Sequence, residues 1–300
     1  MQKLSMFEEV RNNNLFSGLL TVFFIVFIGI LGAIIGLVYD NVVFGVVASV
    51  IVAVIYIAIM YSAGDQMVLS MSGARPVTKK EYPYLFHTIE GLAVAAGIPT
   101  PKAYVIDDSA LNAFATGISP DKASITVTTG LLEKMNRQEL EGVVAHEMSH
   151  IKNYDVKYML LVAVLVGVIT LLSDFLLRSF LWGGKGGRRS EKGGQLQLIL
   201  ILVGLATAIL APIFIQLIRL AISRKKEYAA DAGAAILTRY PPGLASALKK
   251  IAKDPDPLVD NANKATAHLF ISTPFRKDSI ANLFSTHPPI EERVKKLEAM

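Results

Sequence analysis

The sequence predicts an α+β soluble domain with a small sheet, joined to four hydrophobic membrane helices. Three observations carry this expectation. Of the 300 residues, 52% are hydrophobic and only 18% are charged, whereas a soluble domain usually carries about a quarter charged residues. Four apolar stretches, residues 15–39, 42–63, 158–177 and 196–217, are each long enough to cross roughly 30 Å of hydrocarbon. The polar blocks between and after them, 64–156 and 221–300, mix helical periodicity with short runs of strand-forming residues.

Residues 1–63 form a two-span unit. Its first stretch is too long for a signal-peptide core, lacks a short basic start followed by a small-residue cleavage site, and is soon followed by a second span; it reads as an uncleaved anchor. In the block 64–156, residues 79–97 read as a helix. The runs 103–106, 112–116 and 125–128 have strand chemistry and are broken by Gly117, Pro120 and Asp121. Asn136 with Glu139 three residues on is a capping-box pattern that opens a helix through about Tyr154. Residues 157–220 are a hydrophobic hairpin whose connector, 183–194, is rich in glycine and basic residues. The block 221–300 supplies helices at 223–238 and 290–297 and folds together with 64–156.

The chain has no cysteine, which removes disulfides, thiolate ligands and thiol catalysis, so a catalytic metal must rely on His, Asp or Glu. The net charge of +5 belongs with lysines and arginines that flank membrane spans, and no nucleic-acid partner is expected. Five histidines are present. Two of them lie in His146-Glu147-Met148-Ser149-His150 on the predicted helix. Residues four apart share a helix face, so both imidazoles can reach one ion with Glu147 beside it, the spacing of zinc hydrolases. The apolar neighbours Val143, Val144 and Ala145 argue against two surface histidines. One Zn2+ per chain is expected, with Glu147 as general base.

A catalytic zinc takes three protein ligands and keeps one position open. The metzincin extension would need Gly at position 153 and His at 156, where this chain has Asn153 and Val156, so the third ligand lies further along. Glu227 and Asp231 are four apart on one face of a later helix. Either they are an exposed acidic pair balanced by Lys225 and Lys226, or Glu227 binds the ion while Asp231 accepts the distal N–H of a ligand histidine.

His146-Glu147-Met148-Ser149-His150, joined after a hydrophobic hairpin to Glu227-Tyr228-Ala229-Ala230-Asp231, resembles the HtpX family of bacterial membrane zinc metalloproteases. The order of the two amino-terminal spans, Leu111-Asn112-Ala113-Phe114-Ala115 and Ser285-Thr286-His287-Pro288-Pro289 matches as well. The resemblance implies a gluzincin fold, related to prenyl-protein endopeptidases, and stress-response quality control of unfolded or damaged membrane proteins in the cell membrane, facing the cytoplasm. Other quality-control proteases are compatible partners. It implies catalytic participation of His287 as a donor to the tetrahedral intermediate, where the residues alone favour a locally packed loop histidine. It also implies that Asn112, Ala113 and Phe114 contact substrate along an edge strand. His87 and His268 read as structural.

Because His150 and Glu227 would bind one ion, the intervening hairpin must leave and return on one side. Lys3, Arg11, Arg75, Lys79, Lys80, Arg219, Arg224, Lys225 and Lys226 put the soluble domain in the cytosol by the positive-inside tendency. Arg178, Lys185, Arg188, Arg189 and Lys192 in the connector oppose it, and Asp174 disfavours deep burial there. The hairpin crosses, dips and returns, or packs on the soluble domain. Three rival readings differ in chemistry. Charged flanks such as Glu133, Arg137 and Lys152 oppose an intramembrane metalloprotease, a noncatalytic zinc adaptor would not need Glu147, and a prenyl-protein-type endopeptidase would share the chemistry with a different substrate.

Overall fold

The computed structural model describes residues 6–38, 40–162, 165, 204, 224–254, 269–272 and 287–300. Two long helices lead, α1 (Met6–Val38) and α2 (Val42–Met71). Asp40 reverses the chain between them at φ 57°, and the Asn41 side chain caps α2 by accepting from the Phe44 N–H at 3.0 Å. The two helices pack antiparallel. At their crossing a Cβ on Gly32 would collide with the Gly45 carbonyl oxygen, an approach that only glycine permits. Leu15, Leu19, Val22 and Val26 of α1 and Val43, Phe44, Val47 and Ile51 of α2 are exposed. Both helices are long and apolar enough to cross a membrane.

The helices outrun the apolar stretches at their polar ends. Helix α1 starts at Met6 rather than near residue 15, and α2 continues past residue 63 to Met71. Polar residues there find partners in the rest of the fold: Asn13 donates to Asp155, and Gln66 donates to the Tyr104 hydroxyl at 3.3 Å. Of the second hydrophobic pair, only residues 158–162, 165 and 204 lie within the described set. Its connector, Asp174 and His268 lie outside it. Residues 155–162 are helical, and 158–162 are buried.

Four short strands form one sheet in the order β1 (Arg75–Pro76), β2 (Lys102–Ile106), β4 (Ala123–Thr128), β3 (Ala113–Gly117). Strands β2 and β4 are parallel, while β1–β2 and β3–β4 are antiparallel. The period of two sorts the side chains. Ala103, Val105, Ala113, Ala115, Ile125 and Val127 enter the main core, whereas Tyr104, Ile106 and Phe114 join a second core with Leu20, Phe24, Met60, Val68, Leu69 and Leu160. One sheet face therefore packs into the main core and the other against α1 and α2.

Helix α3 (Pro83–Ala96) begins four residues later than the pattern suggested. Pro83 suits the first helical position, where its missing N–H is no loss, and it holds Tyr82 at φ −130°, outside the helical region. Two helices went unread: the short α4 (Thr129–Lys134) and α7 (Pro241–Lys253). The Pro241-Pro242 pair looks like a loop, yet it opens a helix whose Leu244, Ala247, Leu248 and Ile251 are buried.

Helix α5 (Arg137–Lys152) is central, and α6 (Arg224–Thr238) and α7 pack beside it. Its capping box is complete: Asn136 Oδ1 accepts from the Glu139 N–H at 3.0 Å, and Glu139 Oε2 accepts from the Asn136 N–H at 2.8 Å. Glu139 also accepts from Lys250 Nζ and Ser246 Oγ, both at 2.6 Å, which tie α7 to the start of α5. Burial raises the Glu139 pKa, but these hydrogen bonds outweigh it and hold the carboxyl below 4.5. A depressed folded-state pKa contributes stability above the unfolded value that is lost as pH falls through the folded one. Glu139→Gln is therefore expected to lower stability by about 1–2 kcal/mol at neutral pH. Denaturant titrations of the two proteins should converge as acid protonates the wild-type carboxyl.

Candidate metal centre

The buried face of α5 carries His146, Glu147 and His150, which are 1%, 2% and 4% exposed. They are not surface histidines. Glu227 and Asp231 on α6 are buried just as deeply, which excludes the exposed acidic pair. One ligand atom each from His146, His150 and Glu227 all lie within 4.8 Å of one another. His146 Nε2 is 3.7 Å from Glu227 Oε2, and His150 Nε2 is 3.6 Å from Glu227 Oε1. Tetrahedral ligands about 2.0–2.1 Å from a zinc ion would stand about 3.4 Å apart.

The orientation of each ring fits a shared ion. With Nε2 turned inward, His146 Nδ1 meets Asp231 Oδ1 at 3.1 Å, and His150 Nδ1 meets Asp155 Oδ2 at 3.0 Å. A metal-ligating histidine ordinarily holds its second nitrogen against a carboxylate in this way. Among the described residues neither Glu227 oxygen has an aligned hydrogen bond, although both are fully buried. His287 Nδ1 is 3.0 Å from Glu227 Oε2, placed for charge attraction rather than for an aligned bond, and Arg293 Nη1 is 3.4 Å away. A buried carboxylate left in that state matches a cation site.

The local field separates the titrating groups. Burial, with the Arg293 charge, pushes His146 down to about 4, leaving the neutral form that binds metal. Burial also lowers His150, but the Asp155 hydrogen bond and the Glu227 charge outweigh it and lift the ring to about 9. The field thus favours a positive charge at His150 and disfavours one at His146, where Arg293 already stands. Burial raises Glu147 to about 7, opposed in part by His150 and by the Ala115 backbone N–H, which donates to it. Glu227 is held well below the usual carboxylate range: burial works against ionisation, and His287, Arg293 and His150 overcome it.

Strand β3 lies alongside this centre. Thr128 N donates to Asn112 O at 3.0 Å, so ladder alternation turns the backbone of Ala113 and Ala115 toward the outer edge of the sheet. Ala115, His287 and Ile271 line one cavity with His146, His150 and Glu227. Asn112 and Ala113 are not among its lining residues and bond instead to Ser272 and Ile271. The Phe114 side chain points to the other sheet face and meets the Phe270 ring edge-on at 5.0 Å. His87 is exposed beside Glu90, away from the site.

The profile of peptidase family M48 matches residues 79–300, the span that holds every residue just described. The chain belongs to peptidase family M48. A Protease HtpX homolog of Dictyoglomus turgidum is 52% identical over 240 residues, covering 80% of this chain and 77% of that protein. A Protease HtpX homolog of Listeria monocytogenes serotype 4a is 42% identical over 304 residues, covering 98% of this chain and all of the other. Among solved structures, the crystal structure of S. mikatae Ste24p matches with a TM-score of 0.48 and 21% identity. That match covers 83% of this chain and 57% of that one. The protein is a metalloprotease, a hydrolase of the M48 fold: helix-rich, with a small sheet and, among the described residues, two candidate membrane helices.

Three residues of this M48 site escape a reading of spacing alone. Arg293 on α8 (Ile290–Glu298) is wholly buried. It donates to both oxygens of Asp231, at 2.9 and 2.7 Å, and to the Ile271 carbonyl at 3.3 Å. The one local signal is that 293 shares a helix face with the apolar Leu297 four residues on, where a charge must have a partner. Asp155 follows Tyr154, whose φ of 60° reverses the chain after α5. Ala115 stands one residue beyond the segment read as substrate-binding.

Proposed function

We propose that the protein is a zinc-dependent endopeptidase of the cell membrane that hydrolyses peptide bonds of misfolded or damaged membrane proteins on the cytosolic side. The observation that carries this is the buried trio His146, His150 and Glu227, with Glu147 beside it and the edge of β3 alongside. Two imidazoles and a glutamate from a later helix are a gluzincin ligand set, and nitrogen and oxygen ligands at tetrahedral separations favour zinc. A bound zinc would polarise the scissile carbonyl and acidify water. Glu147 takes a proton from the attacking water and returns it to the leaving amine. His287, which lines the same cavity, donates to the oxygen that becomes negative. Asp231 and Asp155 keep the ligand rings in register, and Arg293 neutralises Asp231.

Membrane proteins as substrates are supported by the second core, which joins the sheet beside the metal to both membrane helices. Cytosolic orientation is supported by Arg11 before the first span and by Arg75, Lys79 and Lys80 after the second. Because the chain has no cysteine, a single cysteine in place of Lys102 reports the side directly. In intact cells a membrane-impermeant maleimide should leave it unlabelled until the membrane is opened. Co-reconstituted in liposomes, a destabilised membrane protein should be cut and its folded form spared. Labelling in intact cells, or equal cutting of both forms, would refute this reading.

A substrate strand on β3 meets a competitor. Ile271 N donates to Ala113 O at 2.9 Å, Asn112 Nδ2 donates to Ser272 O at 3.3 Å, and Arg293 holds the Ile271 carbonyl. Residues 269–272 thereby occupy the Ala113 carbonyl that a pairing peptide needs, and the cavity at the candidate metal centre measures only about 10 Å3, the room of about one water. Peptide entry displaces this segment. Ile271→Pro deletes the competing N–H and is expected to raise kcat/KM on an unfolded substrate several-fold. An unchanged or lower value in a variant that still unfolds cooperatively would make the segment part of the substrate wall instead.

A further inference from the structure

We propose that Asn13, on the first membrane helix, is a positioning residue of the metal centre. This rests on His146, His150 and Glu227 being the ligands. Asn13 is 4% exposed, and its side-chain amide makes two hydrogen bonds, to Asp155 Oδ1 and to the Asn153 carbonyl, both at 2.9 Å. The other Asp155 oxygen holds His150 Nδ1 at 3.0 Å. Asn13 thus spans the tight turn at Tyr154, gripping the residues before and after the positive-φ position, and fixes the carboxylate that orients a ligand ring.

The neighbourhood is built around this contact. The Asn13 carbonyl accepts from Ser17 Oγ at 2.7 Å, and Asn14 Oδ1 accepts from Lys157 Nζ at 3.0 Å. Lys226, next to Glu227 in sequence, lies 3.2 Å from the Asp155 oxygen that Asn13 holds. The elements carrying His150 and Glu227 therefore converge on one carboxylate, and α1 braces it. An asparagine buried on an otherwise lipid-suited helix is costly unless its amide is satisfied, and here the soluble domain satisfies it. Metal retention is thereby linked to the seating of the first membrane helix.

The test is the zinc Kd of the full-length protein in detergent, measured by competition with a chromophoric chelator. Asn13→Leu, which keeps the branched side-chain skeleton and removes both N–H donors, is expected to weaken zinc binding about tenfold, the low end for partners beyond the ligands themselves. Asn13→Ser, too short to reach Asp155, should do the same and serves if the leucine variant fails to fold. In an Asp155→Asn background neither change should weaken binding further, because both act through one route. A purely structural asparagine would lower the unfolding temperature of the metal-free protein and leave zinc affinity within about twofold. That result, or losses that add to Asp155→Asn, overturns the proposal. If instead Glu227→Ala binds zinc as tightly as wild type, the ligand assignment itself has failed.

Discussion

Glu147→Gln is expected to keep its metal and lose nearly all turnover. Glutamine preserves the shape and the hydrogen bond from the Ala115 N–H but cannot take a proton from water. Glu147 touches the cavity without belonging to the ligand trio, so the substitution leaves the ion's ligands alone. General-base catalysis contributes about 10²–10⁴-fold, and kcat should fall by that factor with KM little changed. Zinc content by elemental analysis, alongside initial rates on an unfolded protein, decides the point. A variant with most of its activity would remove Glu147 from its role as base, and one that loses both metal and activity would make it a ligand.

Glu227→Ala is expected to abolish both metal retention and activity. It leaves two protein ligands where a catalytic zinc takes three. It also leaves the Arg293 guanidinium, 3.4 Å from the His146 ring, facing the imidazoles with one anion fewer. Removing one member of a buried charged set typically costs about 3–5 kcal/mol. Here Asp231 still pairs with Arg293 at 2.7 Å, so the variant should fold at reduced stability. Dialysis against a chelator strong enough to strip Glu227→Ala, yet too weak to strip wild type, followed by metal analysis, measures the effect. One zinc per chain surviving in the variant would place the third ligand elsewhere.

The two helices that carry the candidate ligands were legible because each announces itself locally. Asn136 and Glu139 form the predicted capping box, and the four-residue spacing of His146 and His150 holds as soon as the helix forms. Glu227 and Asp231 share a face for the same reason. What stayed hidden depends on tertiary contact. Arg293 looks like one more charge in Glu291-Glu292-Arg293 until α8 docks and turns it inward. Asp155 serves His150 only because Tyr154 takes a left-handed conformation, which the sequence around it, lacking glycine, does not signal. Asn13 meets its partner across 142 positions of chain, beyond any local pattern. The same holds for residues 269–272, whose pairing with β3 has no spacing to betray it.

The central claim is metal-dependent peptide hydrolysis at this centre. The most direct measurement is cleavage of an unfolded protein by detergent-purified, chelator-stripped enzyme, with and without added zinc, beside Glu147→Gln treated identically. Cleavage should appear only in the wild type and only with zinc, and be lost again on chelation. No cleavage by wild type carrying one tightly held zinc per chain, or equal cleavage by Glu147→Gln, would contradict it.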